Sequence, residues 1–394
     1  MAAATPRTDA SNADTVHLPG LLAAIAALVV VMLLPTPQGL PYAGQIMLAL
    51  LLFSVILWMT EAVDYAVSAV LIAALMAFLL GTAPNAAKPD VVLGTGAALG
   101  LALGGFANTA LALVAAATFL SAAMTVTGLD RRIALFVLSL VGARASRVVI
   151  GAIFVGIVLA FLVPSTTARV ASIVPIIMGI ILAFGQDRQS RLAGLLMITT
   201  AQAASIWNVG IKTAAAQNMV AIGFMEKTLK AGVTYPEWLL AAAPWAVLMS
   251  IALYFVMMKM MPPETEELEG GKEAIRRALD ALGPVTGPEW RLLAISATLL
   301  CLWSTEKILH PFDTSSTTVA AIAVMFLPVV GVMGWKQAQP KIPLGTIVLF
   351  GIGISLGSAL LQTKAAGWLA NLIVQALGLL LGATYWNWMG YMTR

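Results

Sequence analysis

The chain has almost no cysteine or histidine. Cys301 stands alone in an apolar run, so neither a disulfide framework nor a thiolate metal cage can be assembled. His17 and His310 lie far apart in sequence, which leaves a metal site or a Ser/His hydrolase centre with little material. No set of nucleophile, base and metal ligands stands out, so an enzyme is not expected and no cofactor is implied by composition. Charge is scarce too: 10% of residues are charged, against roughly 25% in soluble domains. The net charge of +4 is scattered over loops rather than gathered into a stripe, which excludes nucleic acid as the expected partner.

Apolar surface is abundant instead. Hydrophobic residues make up 60% of the 394 positions, more than a soluble core absorbs. A helix crosses the hydrocarbon with ~20 apolar residues. Charge-free stretches of about that length are Leu18 to Thr60, holding two spans around Pro35-Thr36-Pro37-Gln38-Gly39, then Tyr65 to Ala87, Val148 to Ala168, Leu192 to Ile211, Leu239 to Met258 and Thr314 to Trp335. The expected fold is an all-α polytopic membrane bundle of about ten segments, with the lipid bilayer as its first partner.

Residues 1–17 read as a polar cytoplasmic tail before a retained first span, with a signal peptide as the alternative. Residues 18–258 form a first membrane half, an extra helix plus one repeat, and 292–394 form a second. Between them, 259–291 is a hydrophilic connector with a short surface helix; Lys259, Lys272, Arg276, Arg277 and Arg291 place it in the cytoplasm. The halves resemble one another. Leu57-Trp58-Met59-Thr60-Glu61 is answered by Leu302-Trp303-Ser304-Thr305-Glu306, and Ser121 to Gly142 lines up without gaps against Gly357 to Gly378. Each second match follows a glycine-dense stretch, Gly94 to Gly105 and Gly345 to Gly357. Glycine weakens a helix, so these read as re-entrant hairpins; tight packing through small residues is the alternative.

The chemistry centres on Pro164-Ser165-Thr166-Thr167-Ala168-Arg169, which interrupts one long apolar segment. Proline removes a backbone donor and the hydroxyls offer ligands, so a broken helix with an anion-facing N-terminus is expected. Arg169 lies one turn after Ser165; it either meets a substrate carboxylate or snorkels to an interface. The polar insertion Trp207 to Asn218 either completes an anion site or is an interfacial loop with a membrane-end lysine, Lys212. Glu61, Asp64 and Glu306, at the ends of apolar runs, read as interface anchors, with a proton relay as the alternative. Arg131, Arg132, Arg144 and Arg147 bracket a short segment expected to lie along the cytoplasmic surface.

Pro164 to Arg169 resembles the P-S-N-T-A-R signature of the divalent anion/sodium symporter family, in particular its bacterial citrate/succinate and 2-oxoglutarate/malate carriers. Gly105-Phe106-Ala107-Asn108 is similar to that family's G-F-S-N element, and Thr127 to Leu135 to its T-G-L-G-R-R-I-A-L stretch. Gly345 to Gly357 is similar to its second hairpin. The resemblance implies an inverted-repeat, elevator-type carrier, homodimeric, in the bacterial inner membrane. It would move small di- or tricarboxylates by anion exchange or cation-coupled symport. Matched by position, Ser165, Thr166, Thr167, Arg169 and Asn218 would bind substrate, and Ser165 and Thr166 a sodium ion in sodium-coupled members. Arg169 corresponds to the arginine of the exchanger branch, which favours exchange. Thr166 departs from the asparagine of the signature. The second-repeat counterpart of Ser165 would fall past Arg394, so an incomplete second repeat is expected, with a non-transporting truncated carrier as the competing reading.

Overall fold

A computed structural model describes residues 17–381 apart from 87, 143, 184, 188, 230, 231, 265 and 267–270. The expected tail, His17 excepted, and the residues after Leu381 lie outside this set. The chain runs α1 (Leu18–Leu33), α2 (Tyr42–Met59), α3 (Tyr65–Leu75) and α4 (Thr95–Leu103). Next come α5 (Thr109–Thr127), α6 (Leu129–Val141), α7 (Ala145–Leu162), α8 (Thr166–Ala183), α9 (Arg191–Gly210) and α10 (Ala216–Leu229). There follow α11 (Tyr235–Met260), α12 (Gly271–Asp280), α13 (Gly287–Ser304), α14 (Thr314–Met325) and α15 (Trp335–Ala338). The last are α16 (Leu344–Gln362) and α17 (Ala365–Leu381). Helices α2, α5, α7, α9, α11 and α16 are long and apolar enough to cross a membrane, and α1, α3, α4, α8, α14 and α17 are shorter apolar helices. The protein is therefore a polytopic α-helical membrane protein.

Contacts gather the chain into two compact units, one of residues 1–108 with 344–394, the other of 109–343. In the first, α1 and α2 pair as expected around the Pro35 to Gly39 loop. Buried Gln45 makes that loop affordable: its Nε2 donates to the carbonyls of Val31 (2.8 Å) and Leu34 (2.7 Å), satisfying the end of α1 where no water would. The expected span Tyr65 to Ala87 stops earlier. Asp64 caps α3, a π-helical turn carries it to Leu80, and a two-stranded antiparallel hairpin, β1 (Pro84–Asn85) with β2 (Lys88–Val92), follows.

The two glycine-dense stretches differ. Gly94, at φ 87°, opens the short helix α4, which tightens into a 3-10 turn, Gly104–Ala107. Gly345 to Gly357, expected as a second hairpin, lies wholly inside the continuous helix α16. The small-residue alternative explains why: a Cβ on Gly105 would stand 2.1 Å from the Gly351 carbonyl oxygen, so these glycines let two backbones touch.

In the second unit the acidic connector is not merely a tether. Exposed Glu264 accepts from the backbone N–H groups of Arg191 (2.6 Å) and Leu192 (3.1 Å), completing the N-terminus of α9 beside the Ser190 cap. The Arg191 N–H, first among these, holds the Glu264 carboxyl below its ordinary range. Glu266 reaches α7 through its own carbonyl to Ala145 N (2.9 Å) and its carboxylate to Ser146. The expected surface helix is α12, in which only Ile275 is fully buried among the described side chains. Capping boxes start α11 (Thr234/Glu237) and α13 (Thr286/Glu289).

The expected span Thr314 to Trp335 also ends early, because α14 stops at Met325. Pro328 cannot donate, Val329 sits at φ 71°, and the Arg291 guanidinium collects the carbonyls of Val329 and Gly331, so the broken end is satisfied.

Helix α6 is amphipathic, with Arg131 exposed and Leu129, Asp130, Ala134, Leu135 and Leu138 buried. Arg132 pairs with Glu289 (Nε to Oε1, 2.8 Å) and donates to the carbonyls of Leu282, Gly283 and Pro284, clamping the entry to α13. Asp130 is 3% exposed and bonded to the Ser172 hydroxyl on α8. Burial pushes its carboxyl above the ordinary range, outweighing the hydrogen bonds that oppose the shift. The native state then holds a proton the unfolded chain has released, so this group costs stability as pH rises through that window. Asp130→Asn is expected to raise the thermal midpoint in detergent at neutral pH. That advantage should close at acidic pH, which melting curves across a pH series would read.

Candidate functional site

Two helix breaks in the second unit meet at one buried guanidinium. The first is the expected one. Helix α7 ends at Leu162, Val163 is extended (φ −119°, ψ 96°), and α8 begins at Thr166. Pro164 has no N–H to continue the ladder, and Ser165 restarts it: its hydroxyl accepts from Ala168 N (3.3 Å) and its carbonyl from Arg169 N (3.0 Å). The second break separates α9 from α10 at residues 211–215.

Arg169 spans the gap between them and is fully buried. Its Nη2 donates to the Asn208 side-chain oxygen and lies near Thr166 Oγ1 (3.4 Å), Ala214 O (3.4 Å) and Ala204 O (3.5 Å). Thr166 Oγ1 in turn donates to Asn208 Oδ1 (2.8 Å). Asn218 (8% exposed) braces the arrangement from behind, with Nδ2 donating to the carbonyls of Asn208 (2.5 Å) and Ile211 (3.0 Å). The last turn of α9 is further held by Trp238 Nε1 on Val209 O (2.9 Å).

The guanidinium is only partly met. Nε and Nη1 have no hydrogen-bond partner, and no carboxylate pairs with the group, among the described residues. Three of its five N–H bonds are thus unspent. A buried cation without counter-charge is costly, and one with an open donor edge is a receptor for a planar anion.

Of the residues singled out from sequence, Thr166, Arg169 and Asn218 converge here, and Ser165 frames the site as the cap of α8. Thr167 is exposed and its hydroxyl makes no hydrogen bond among the described residues. Asn208 was not singled out: inside Trp207 to Asn218 it looked like any loop amide, and only its distance in space from Arg169 distinguishes it. The interfacial-loop reading of this segment does not hold for Lys212, which is 5% exposed and faces Glu306 at 3.6 Å. Glu306, read as an interface anchor, is likewise 5% exposed. Glu61 and Asp64 do remain exposed at helix ends.

The family described as the sodium:sulfate symporter transmembrane region matches residues 15–390. A Cupriavidus necator protein described as a membrane protein is 55% identical over 360 residues, covering 91% of this chain and 70% of the relative. Inner membrane protein YbhI of Escherichia coli is 30% identical over 274 residues, 68% of this chain and 57% of its own length. The Escherichia coli L-tartrate/succinate antiporter is 27% identical over 369 residues, 90% of this chain and 74% of its own. With a family match that runs through both units, both helix breaks and the buried arginine, the chain belongs to the sodium:sulfate symporter transmembrane region family and is a membrane transporter.

Proposed function

We propose that the protein carries small dicarboxylates across the membrane by anion exchange, with Arg169 as the group that receives a substrate carboxylate. The observation that carries this reading is the fully buried guanidinium with Nε and Nη1 unmet. Thr166 and Asn208 orient it, Asn218 holds Asn208, and Ser165 ends the break. The relative named as an L-tartrate/succinate antiporter supports both the substrate class and the exchange mode. Exchange is favoured over sodium symport because a fixed cation already balances the anion, and the Ser165 and Thr166 hydroxyls are engaged in the cap and with Asn208. Elevator-type movement, a homodimer and residence in a bacterial inner membrane belong to the same proposal, supported by the family and the bacterial relatives.

The test is uptake of labelled succinate into proteoliposomes holding the purified protein, either empty or preloaded with dicarboxylate, with and without a sodium gradient. Uptake that needs internal dicarboxylate and ignores sodium is expected. Uptake into empty vesicles driven by sodium would overturn exchange. Silence from folded protein in every condition would favour a non-transporting chain.

A charge test sharpens the site. Asn208→Asp places a carboxylate against Arg169 and neutralises it internally, so KM for succinate should rise about tenfold or more, a loss of ~1.4 kcal/mol. Initial-rate uptake over a range of succinate concentrations measures it.

A further inference from the structure

The turn that offers Ala214 O to Arg169 is itself held by a second buried cation. Lys212, two residues earlier, sends Nζ to Val233 O (2.8 Å) and Thr314 Oγ1 (3.2 Å) and lies 3.6 Å from Glu306 Oε2. The Glu306 carboxylate also accepts from Thr314 Oγ1 (2.8 Å), Thr314 N (3.3 Å) and Tyr235 N (3.3 Å). Four segments thereby meet at one ion pair: the turn between α9 and α10, the start of α11, the link after α13 that carries Glu306, and the start of α14.

We infer that Lys212 and Glu306 are a positioning pair for the anion site, locking the 211–215 turn so that Asn208 and the Ala214 carbonyl aim the Arg169 guanidinium at substrate. The inference rests on the reading of Arg169 as the substrate cation. Two arguments carry it. A buried ion pair is seldom worth more than a well-packed apolar pair of the same size, because desolvating both charges offsets their attraction. Its benefit here is geometric: the turn leaves the α9 ladder at Ile211, its own backbone bonds are few, and Lys212 ties it sideways to two other helices. The pair also settles which buried cation is open. Lys212 is neutralised by Glu306, whereas Arg169 pairs with no carboxylate among the described residues, so an entering anion is directed to Arg169.

Lys212→Met, Glu306→Gln and the double variant Lys212→Met/Glu306→Met would be compared with the unaltered protein, reading thermal midpoint in detergent and KM and Vmax for succinate exchange. Each single change leaves a buried charge or polar group unpaired and should lower the midpoint. The double change should recover part of it, because no charge is left unpaired although Thr314 N and Tyr235 N lose their acceptor, while KM stays raised about tenfold and Vmax falls by less than about threefold, since the turn is no longer aimed. A double variant with both the original midpoint and the original KM overturns the inference and leaves a purely structural pair. A double variant that does not fold overturns it too, because the pair would then carry the fold. If the unaltered protein exchanges no dicarboxylate, the reading of Arg169 fails and takes this inference with it, an outcome distinct from normal exchange with unchanged KM in the variants.

Discussion

Arg169→Met is expected to abolish the proposed dicarboxylate exchange while leaving the thermal midpoint of the substrate-free protein unchanged or higher. The two halves of this expectation come from the same observation. A buried guanidinium with Nε and Nη1 unmet is a liability in the absence of ligand, so removing it relieves an uncompensated charge. The contacts forfeited are few, and Asn208 Oδ1 keeps its bond from Thr166 at 2.8 Å. With substrate the balance reverses. Deleting one partner of a buried, hydrogen-bonded charge pair costs ~2–5 kcal/mol, roughly thirty- to several-thousand-fold in affinity. Arg169→Lys should fall between, because an ammonium keeps the charge and loses the planar fork. Uptake and melting curves on the same preparations decide it. A variant that loses stability and transport together would make Arg169 a structural residue, and unchanged uptake would return it to the role of an anchor.

Gly105→Leu is expected to be the most damaging change in the other unit. A Cβ at this position would stand 2.1 Å from Gly351 O and 2.6 Å from both Ser355 N and Ser355 Oγ. Two of those atoms are helix backbone and cannot swing aside. Gly105 N also donates to Ser355 Oγ (2.8 Å), which bonds back to Gly351 O (3.2 Å), so prying the 3-10 turn off α16 leaves buried polar groups unpaired. Overpacking at ~1–3 kcal/mol and a lost buried hydrogen bond at ~1–3 kcal/mol together take a large share of the ~5–15 kcal/mol by which a protein is typically stable, so a sharp loss of folded yield and thermal midpoint is expected. Two glycines of the same helix are controls. For Gly351→Ala the nearest atoms all belong to the Phe106 ring, the first at 2.5 Å, and that side chain can turn away, so the loss should be smaller. Gly353 has open space around it, and Gly353→Ala should be neutral or stabilising by up to ~1 kcal/mol through helix propensity. Equal damage at all three positions would sink the close-approach account.

Much of the architecture was legible because lipid leaves the chain few options. A run of apolar residues must become a helix where no water can satisfy the backbone, so α2, α7, α9 and α11 fall close to the expected stretches. The break at Pro164 was legible for a complementary reason: proline cannot donate, and serine beside it is a ready cap. Where sequence reading overran toward Trp335, the helix end depended on a partner distant in the chain. Arg291 satisfies the carbonyls after α14 from a separate helix, and no local pattern in Thr314 to Trp335 records it. The glycine stretches show the same limit. Low helix propensity at Gly345 to Gly357 is real, but tertiary contact outweighs it, because the missing Cβ atoms of Gly105 and Gly351 allow close packing.

The sequence by itself determined that this is a helical membrane protein, that a long apolar segment is interrupted at Pro164 to Arg169, and that Ser165 to Arg169 is the stretch to propose as its binding site, since composition, proline and a lone arginine in an apolar run act locally. Only the tertiary structure decided which of two equivalent-looking cations is open to an anion. Lys212 and Arg169 are both buried, but Glu306, 94 positions from Lys212 in sequence, neutralises one and leaves the other unpaired by any described carboxylate. Charge compensation depends on distance in space, and that distance is set by how the helices pack.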